Sequence, residues 1–356
     1  MIKYLGSKRR LVGVIGDLAS GAGARTALDL FTGTTRIAQE LKRRGCETWA
    51  VDVATYSEVL AQCYVATDAE QSDLREVGAI LDELAALPGR RGYFTRVFCE
   101  ESRYFQPKNG MRVDAIRDTL QDQYRHCAVY PILLTSLMLA ADRVDSTTGM
   151  QMAYLKQWAP RGFNDLELRV PDLVAGTGHA VRGDAATVAR TLPLVDFAYL
   201  DPPYNQHRYF TNYHIWETLV RWDAPDHYGI ACKRADSRDE STKSPYNSPR
   251  TMPGALAAAV AATNARLVAI SYNNEAWLSA QDISQMCDER ECVEVLEFDS
   301  RRYVGAQIGI HNLKGDKVGT VSHLTNTELV LVAGDRDAVR AAVGRAAKSA
   351  QQTPVG

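Results

Sequence analysis

Asp201-Pro202-Pro203-Tyr204 carries the most specific chemistry in this sequence. A carboxylate and, one residue on, a proline carbonyl place two hydrogen-bond acceptors side by side, and the proline ring fixes the turn that aims its carbonyl. Two adjacent acceptors suit the exocyclic amine of a nucleobase. That nitrogen is a poor nucleophile because its lone pair is delocalised into the ring. Acceptors on both of its hydrogens favour a pyramidal nitrogen with a localised lone pair. Tyr204 then offers a face for the base to stack on, worth about 1–3 kcal/mol per base. The plainer reading is that Pro-Pro ends a strand and Asp201 caps the next segment.

Three further segments carry acids or a glycine where a ligand could meet them. In Asp29-Leu30-Phe31-Thr32-Gly33-Thr34-Thr35, Gly33 lets a ligand approach the backbone, and the amides opening the next helix face the same crevice. The single glycine is not the GxGxxG fingerprint, so a nicotinamide dinucleotide is disfavoured; taken alone, the segment is also an ordinary strand-to-helix turn. Asp52, followed by Val53, can accept from the two hydroxyls of a ribose or cap the next helix. In Arg182-Gly183-Asp184-Ala185, Asp184 can accept from an adenine amine or, again, act as a cap. Three strand-end acids in this order exceed what capping explains. Ahead of them all, Lys3-Tyr4-Leu5-Gly6-Ser7-Lys8 offers an aromatic edge and a cation, or simply a solvated basic terminus.

Such residues act together only if strands place them together. Residues 25–31 and 47–53 read as buried strands around an amphipathic helix that Gly45 stops after Arg44, a βαβ unit. From 55 to about 173 the period turns helical, at 55–67, 71–87, 92–100, 111–126 and 129–143, with Pro88, Pro107 and Pro131 between. Strand–helix alternation resumes with strands at 179–183, 194–200 and 266–271 and a helix from near Asn212, and 293–300 and 327–332 read as an antiparallel pair. The fold class is therefore α/β, an open sheet with a mainly helical insert after its second strand. Ligands of such sheets sit at the carboxyl ends of the strands, where strand order reverses. The polar stretch 223–253 is long for a loop, which favours either a functional flap or disorder, and it predicts a mobile flap that orders on a bound ligand.

Composition bounds the reading. With 356 residues, 41 basic and 43 acidic for a net charge of −2, and 46% hydrophobic residues, the chain has the make-up of an ordinary globular protein. Collagen-like, coiled-coil and disordered classes are excluded. The apolar run at 131–141 is too short to span a bilayer, and no leader pattern opens the chain, which predicts a cytoplasmic protein. The seven cysteines form no CxxC, and Cys287 and Cys292 have no histidine near them in sequence, so no metal is expected. A charge near zero requires any nucleic-acid binder to gather its basic groups on one face.

Taken in order, these segments resemble the adenine-specific DNA methyltransferases that include Dam and the FokI-type modification enzymes. The likeness to the FokI type extends into Tyr104-Phe105, Thr147-Thr148-Gly149, Tyr154-Leu155-Lys156-Gln157-Trp158, Asn205-Gln206-His207-Arg208-Tyr209, Asn212-Tyr213-His214 and Ser271-Tyr272, covering most of residues 1–335. The chain departs from the pattern where many relatives have a second glycine and it has Thr34 or Thr35.

The resemblance implies a Rossmann-like S-adenosylmethionine-dependent methyltransferase sheet with an inserted target-recognition domain. The catalytic part would be residues 1–54 and 179–346, the insert 55–178 and a flexible tail 347–356. It implies S-adenosylmethionine as methyl donor, S-adenosylhomocysteine as product, N6-methyladenine in double-stranded DNA, base flipping, and no metal. Tyr4, Gly6 and Lys8 would line the donor site; Asp29, Phe31, Thr32, Gly33 and Thr34 would surround its amino-acid end. Asp52 with Val53 would hold the ribose, Asp184 with Ala185 the adenine, and Asp201, Pro202, Pro203 and Tyr204 the target base. Because residues 207–216 follow that motif closely, Tyr209, Tyr213 or His214 is expected to hold the flipped base or fill its vacancy, the alternative being the packing of an ordinary helix. In the insert, Arg103 and Lys108, among Arg90, Arg91, Arg96, Arg112, Arg117 and Arg125, would contact DNA. A separately encoded restriction endonuclease is the partner this implies, with no membrane. An RNA base-amine methyltransferase and a non-catalytic DNA-binding protein that keeps the donor pocket are the alternatives.

Overall fold

The computed structural model of the chain describes residues 2–4, 11–203, 206, 208–273, 276–301, 310–311, 317–319 and 325–352. Its strands are β1 (Thr26–Asp29), β2 (Glu47–Asp52), β3 (Gly178–Arg182), β4 (Val195–Leu200), β5 (His227–Tyr228), β6 (Lys233–Arg234), β7 (Ala265–Asn273), β8 (Cys292–Arg301), β9 (Ile310–His311), β10 (Lys317–Gly319) and β11 (Thr325–Gly334). Seven of them form one sheet in the order β3-β2-β1-β4-β7-β11-β8. β3, β2, β1, β4 and β7 are parallel, and β11 runs antiparallel to both β7 and β8. The chain leaves β1 toward β2 on one side and returns to β4 on the other, so strand order reverses between β1 and β4. There Asp29 pairs with Tyr199, two residues before Asp201. β4 is nearly continuous in buried apolar residues, as a central parallel strand covered on both faces must be.

Helix α1 (Val12–Gly21) precedes β1, and α2 (Arg36–Arg43) crosses from β1 to β2. The expected glycine stop is present. Gly45 has φ +87, its N–H donates to the Lys42 carbonyl, and Cys46 N–H donates to Leu41, which closes the helix in a Schellman turn.

Between β2 and β3 lie α3 (Thr55–Ala61), α4 (Leu74–Ala86), α5 (Tyr93–Thr95), α6 (Pro107–Thr119) and α7 (Tyr130–Arg143). α3, α5 and α6 each run on into one π-helical turn, at Gln62–Ala66, Arg96–Glu100 and Leu120–Tyr124. These helices share one apolar core with Ala38 of α2, Ala50 of β2 and the buried face of α10 (His214–Arg221), through Tyr104, Phe105, Leu137, Ile215, Trp216 and Leu219. α8 (Ala185–Ala189) follows β3, α9 (Tyr209–Asn212) follows the Asp201-Pro202-Pro203 segment, and α11 (Met252–Ala262) and α12 (Ala280–Gln285) flank β7.

On another layer, α1 and the last helix, α13 (Arg336–Gln352), cover Phe197, Leu267, Ala269, Val330 and Val332. A Cβ on Gly21 would lie 2.7 Å from the Ala342 Cα, so these two helices pack backbone to backbone only because that residue is glycine. α13 runs on through Gln352, into the stretch expected to fray. Its alanines favour helix, and Ala346 is buried against α1.

The polar stretch 223–253 is pinned where a mobile flap was expected. It forms the β5–β6 ladder and three short 3-10 turns, and Arg234 is buried within it. That guanidinium donates to both Asp223 oxygens at 2.7 Å, to Asp236 at 2.7 and 3.0 Å and to Thr218 Oγ1 at 3.2 Å. Among the described residues no helix is long and apolar enough to cross a membrane.

Candidate functional site

The strand ends bring four acids to one edge of the sheet: Asp29 closes β1, Asp52 closes β2, Asp184 follows β3 and Asp201 follows β4. Asp29 is 1% exposed. Its Oδ2 accepts from Thr32 Oγ1 at 2.8 Å and from the Ala38 N–H of α2 at 3.1 Å. Its Oδ1 is buried with no hydrogen-bond partner among the described residues. Burial pushes this carboxyl up to about 7; the bonds from Thr32 and Ala38 oppose the shift, and the charges of Asp201 and Asp52 add to it. Asp201 is therefore near enough to be felt electrostatically at the end of β1.

Asp52 ties two turns together. Its Oδ2 accepts from Gly33 N–H at 2.8 Å and its Oδ1 from Ala54 N–H at 3.0 Å. Burial raises its pKa against the pull of those bonds. The Val53 N–H is a third donor to this carboxylate, which leaves one acceptor direction for a ligand hydroxyl. Val53, beside it, leaves 70% of its surface exposed, an apolar face that a flat ring can cover.

Gly33 has φ +50, and a Cβ there would lie 3.2 Å from Cε1 and Oη of Tyr4, so both backbone and neighbour call for glycine. Of Thr34 and Thr35, the two positions where the resemblance expects a second glycine, Thr35 takes the left-handed conformation, with φ 63. That geometry costs a β-branched residue about 1–3 kcal/mol. Here Thr35 N–H donates to the Thr32 carbonyl at 2.7 Å, its Oγ1 accepts from Gln39 Nε2 at 2.8 Å, and the residue is fully buried. The turn thus holds a threonine in a conformation that favours glycine.

Tyr4 links the opening segment to the rest. Its ring stacks on Tyr213 at 4.7 Å and on Tyr209 at 5.4 Å, while the same ring lies against Gly33. The adjacent Lys3 fixes it: Lys3 N–H donates to Asp142 Oδ1 at 3.1 Å, and Nζ pairs with Asp142 at 3.0 Å and Asp145 at 3.2 Å.

Pro202 is buried, and Asp201 and Pro203 are half-buried. Asp184 is exposed and caps α8, its Oδ1 accepting from Thr187 N–H and Oγ1 at 3.0 Å each, and Ala185 behind it is buried. Thr32 and Thr34 are buried, and Phe31 meets Tyr246 edge-on at 5.0 Å. Gly6, Lys8 and Tyr204 lie outside the described residues.

The structure thus brings together Tyr4, Gly33, Asp52, Asp29 and Asp201, with Tyr209 and Tyr213 beside Tyr4. His214 is fully buried, its Nε2 2.9 Å from the Gln151 carbonyl, and burial pushes its imidazole down to about 3. Arg103 and Lys108 are held elsewhere. Arg103 donates to the Lys156 carbonyl at 2.9 Å and lies over Trp158, and Lys108 pairs with Asp165 at 2.5 Å. Sequence reasoning missed Tyr246 and Glu217. Glu217, buried on α10, accepts from Thr55 N–H at 3.2 Å and so braces the helix that follows Asp52. Only the fold could reveal a partner so far away in sequence.

Comparison with known proteins points the same way. A family model for the D12 class N6 adenine-specific DNA methyltransferases matches residues 4–286. The chain belongs to this class. The methyltransferase is 27% identical over 342 residues to the type II methyltransferase M.NlaIII of Neisseria lactamica, covering 92% of this chain and 96% of that protein. It is 27% identical to the modification methylase StsI of Streptococcus sanguinis and 26% identical to the type II methyltransferase M.FokI of Planomicrobium okeanokoites. Each of those alignments covers 85% of this chain but only about half of the relative, 49% and 50%. No solved structure matches the methyltransferase significantly.

Proposed function

We propose that this methyltransferase methylates N6 of an adenine flipped out of duplex DNA at a specific site, as the modification half of a restriction–modification pair. The observation that carries the reading is the placement of Asp201-Pro202 directly after β4, across the strand-order reversal from Asp29 and the Gly33 turn. When bound, S-adenosylmethionine supplies an electrophilic methyl group and leaves as S-adenosylhomocysteine. A buried carboxylate oxygen without a partner at Asp29, the Gly33 cradle and the uncovered face of Val53 fit such a donor, which carries two cationic centres, a ribose and an adenine.

Within this reading Asp29, Phe31, Thr32, Gly33 and Thr34 surround the donor's amino-acid end, with Tyr4, Gly6 and Lys8 over it. Asp52 and Val53 hold the ribose, and Asp184 and Ala185 the adenine. A cation arriving beside Asp29 favours its ionised form. The Asp201 carboxylate and Pro202 carbonyl accept the two hydrogens of the target amine and localise its lone pair, and Tyr204 stacks on the base. Asp201 then takes the proton that the methylated amine sheds. That amine is strongly acidic at this point, so an ordinary carboxylate suffices. The rest of the acceleration is alignment of two bound reactants. Because the amine is unreachable inside a duplex, the base must leave the stack, at a cost of a few kcal/mol.

Residues 55–178 are proposed to read the DNA, with 1–54 and 179–346 holding donor and chemistry. Several exposed cations of the insert are matched by exposed acids, Arg90 with Asp118, Arg91 with Glu100 and Lys108 with Asp165. Exposed pairs of this kind are weak and exchange readily for phosphate. The enzyme's place would be the cytoplasm, with the DNA. The test is expression in a host free of adenine methylation, with every modified adenine mapped. One recurrent motif should be methylated, and Asp201→Ala should erase the signal. Methyl transfer to RNA alone, or donor binding without transfer to DNA, would overturn the reading.

A further inference from the structure

Away from the strand-end acids, three side chains with metal-ligand chemistry converge from distant parts of the chain. Glu101 follows the π turn Arg96–Glu100, His227 lies on β5, and Cys232 precedes β6. One carboxylate oxygen, one imidazole nitrogen and the thiol sulfur all lie within 4.8 Å of one another. His227 Nε2 is already 2.7 Å from Glu101 Oε2. Cys232 is buried, His227 half-buried and Glu101 exposed, so the cluster has a protein floor and one open side. The three lie too far apart in sequence for spacing to reveal them.

We propose that Glu101, His227 and Cys232 bind one zinc ion that clamps the β5–β6 hairpin to the helical segment between β2 and β3. Mixed sulfur, nitrogen and oxygen ligation is typical of zinc and unsuited to magnesium or calcium, which take oxygen. Bonds of about 2.0–2.3 Å in a tetrahedron put ligand atoms roughly 3.3–3.8 Å apart. Small side-chain rotations therefore close the cluster on an ion as the His227–Glu101 hydrogen bond opens. The fourth position faces the open side and takes water.

Outer partners are in place. Arg96 Nη1 donates to Glu101 Oε1 at 2.7 Å, which orients the carboxylate and leaves Oε2 for the ion. The Ser102 hydroxyl sits against the Cys232 thiol and donates to the Val97 carbonyl at 2.7 Å. On binding, the Cys232 S–H bond breaks, its proton passes to solvent, and His227 coordinates as a neutral ring. The two anionic ligands balance the dication.

The clamp has a clear load. Tyr93 Oη donates to the Pro225 carbonyl at 2.6 Å, and the one proton of Tyr104 Oη is shared between the Gln151 carbonyl at 2.7 Å and the Ala231 carbonyl at 3.1 Å, so the helical segment already meets this hairpin on both flanks. At its tip Ile230 is 81% exposed. An ion at the base would fix the direction in which that apolar side chain is presented.

The full-length protein, stripped with chelator, is titrated with Co²⁺ and then Zn²⁺. One equivalent of Co²⁺ should produce a thiolate-to-cobalt charge-transfer band with visible d–d bands, and Zn²⁺ should displace it. Cys232→Ser and His227→Ala should each abolish the charge-transfer band at one equivalent. Arg96→Met should weaken binding about 10–100-fold. Cys127→Ser, which removes an exposed thiol outside the cluster, should leave the band intact. Zn²⁺ should raise the Tm of the parent protein but not of the ligand variants. Unchanged S-adenosylmethionine binding and far-UV circular dichroism establish that a variant is folded. Should Cys232→Ser not fold, the half-exposed His227 position carries the test. No thiolate band at one equivalent, or a band that persists in the ligand variants, would overturn the proposal.

Discussion

Gly33 N–H donates to Asp52 Oδ2 at 2.8 Å, so the turn after β1 and the end of β2 are one hydrogen-bonded unit. A ligand resting on that turn and one held by the Asp52 carboxylate are positioned by the same contact. Asp52→Ala should weaken S-adenosylmethionine binding by about 1.5–3 kcal/mol, roughly ten- to a hundredfold in Kd, read by calorimetry. Asp52→Glu should not restore it, because a longer side chain cannot reach Gly33 and Ala54 from the same backbone.

Thr35 isolates a backbone effect. Thr35→Gly and Thr35→Ala both lose the hydroxyl that accepts from Gln39, but only glycine is at ease at φ 63. The glycine variant should be more stable than the alanine variant by about 1–2 kcal/mol in denaturant unfolding. Equal stabilities would remove the strain argument.

Asp29 sets a pH dependence with a definite sign. Its carboxyl is raised to about 7 in the folded protein, above the value of an exposed aspartate, so the unfolded chain binds fewer protons in between. The donor-free protein should therefore lose stability as pH rises from about 4 through 7. Asp29→Asn should flatten that part of the Tm–pH curve. The same variant should bind S-adenosylmethionine more weakly, since its cationic centres lose a carboxylate.

Arg234 is the peg of the 223–253 stretch. Its removal leaves Asp223 and Asp236 with only the exposed Arg221 between them; those acids are partly exposed, so Arg234→Met should cost about 2–3 kcal/mol rather than the larger penalty of breaking a fully buried pair. Limited proteolysis should cut that stretch faster in the variant, with and without duplex DNA. An unchanged cleavage rate would show that the ion pairs do not hold it.

Asp201→Ala should abolish methyl transfer while S-adenosylmethionine still binds, because the proposed donor contacts come from the opening segment and the ends of β1, β2 and β3, not from Asp201. Equilibrium dialysis against labelled donor, beside a transfer assay, separates the two losses.

Much of this architecture is written locally. The βαβ start, the helical segments from 55 to 143 and the closing antiparallel pair follow from period and punctuation, and each acid sits where an apolar strand ends. Asp29, Asp52, Asp184 and Asp201 were legible for that reason. What was not legible depends on distance along the chain. Nothing near Tyr4 announces Tyr213, nothing near Thr55 announces Glu217, and Arg234 looks like one more surface charge in a polar run. Arg103 and Lys108 show the reverse: a basic run does not reveal that one cation bonds the Lys156 carbonyl and another pairs with Asp165. Thr35 shows that residue type under-reports backbone shape, since a buried hydrogen bond can hold threonine where glycine is usual.

The helices between β2 and β3 have no private interior; they interlock with Ala50 of the sheet and with the inner side of α10. Such a body should melt in a single calorimetric transition rather than two. Transplanting those helices onto another enzyme would strip Trp216 and Leu219 of their cover. If this segment reads the DNA as proposed, new sequence preferences should arise by replacing residues on its outer surface, not by swapping modules.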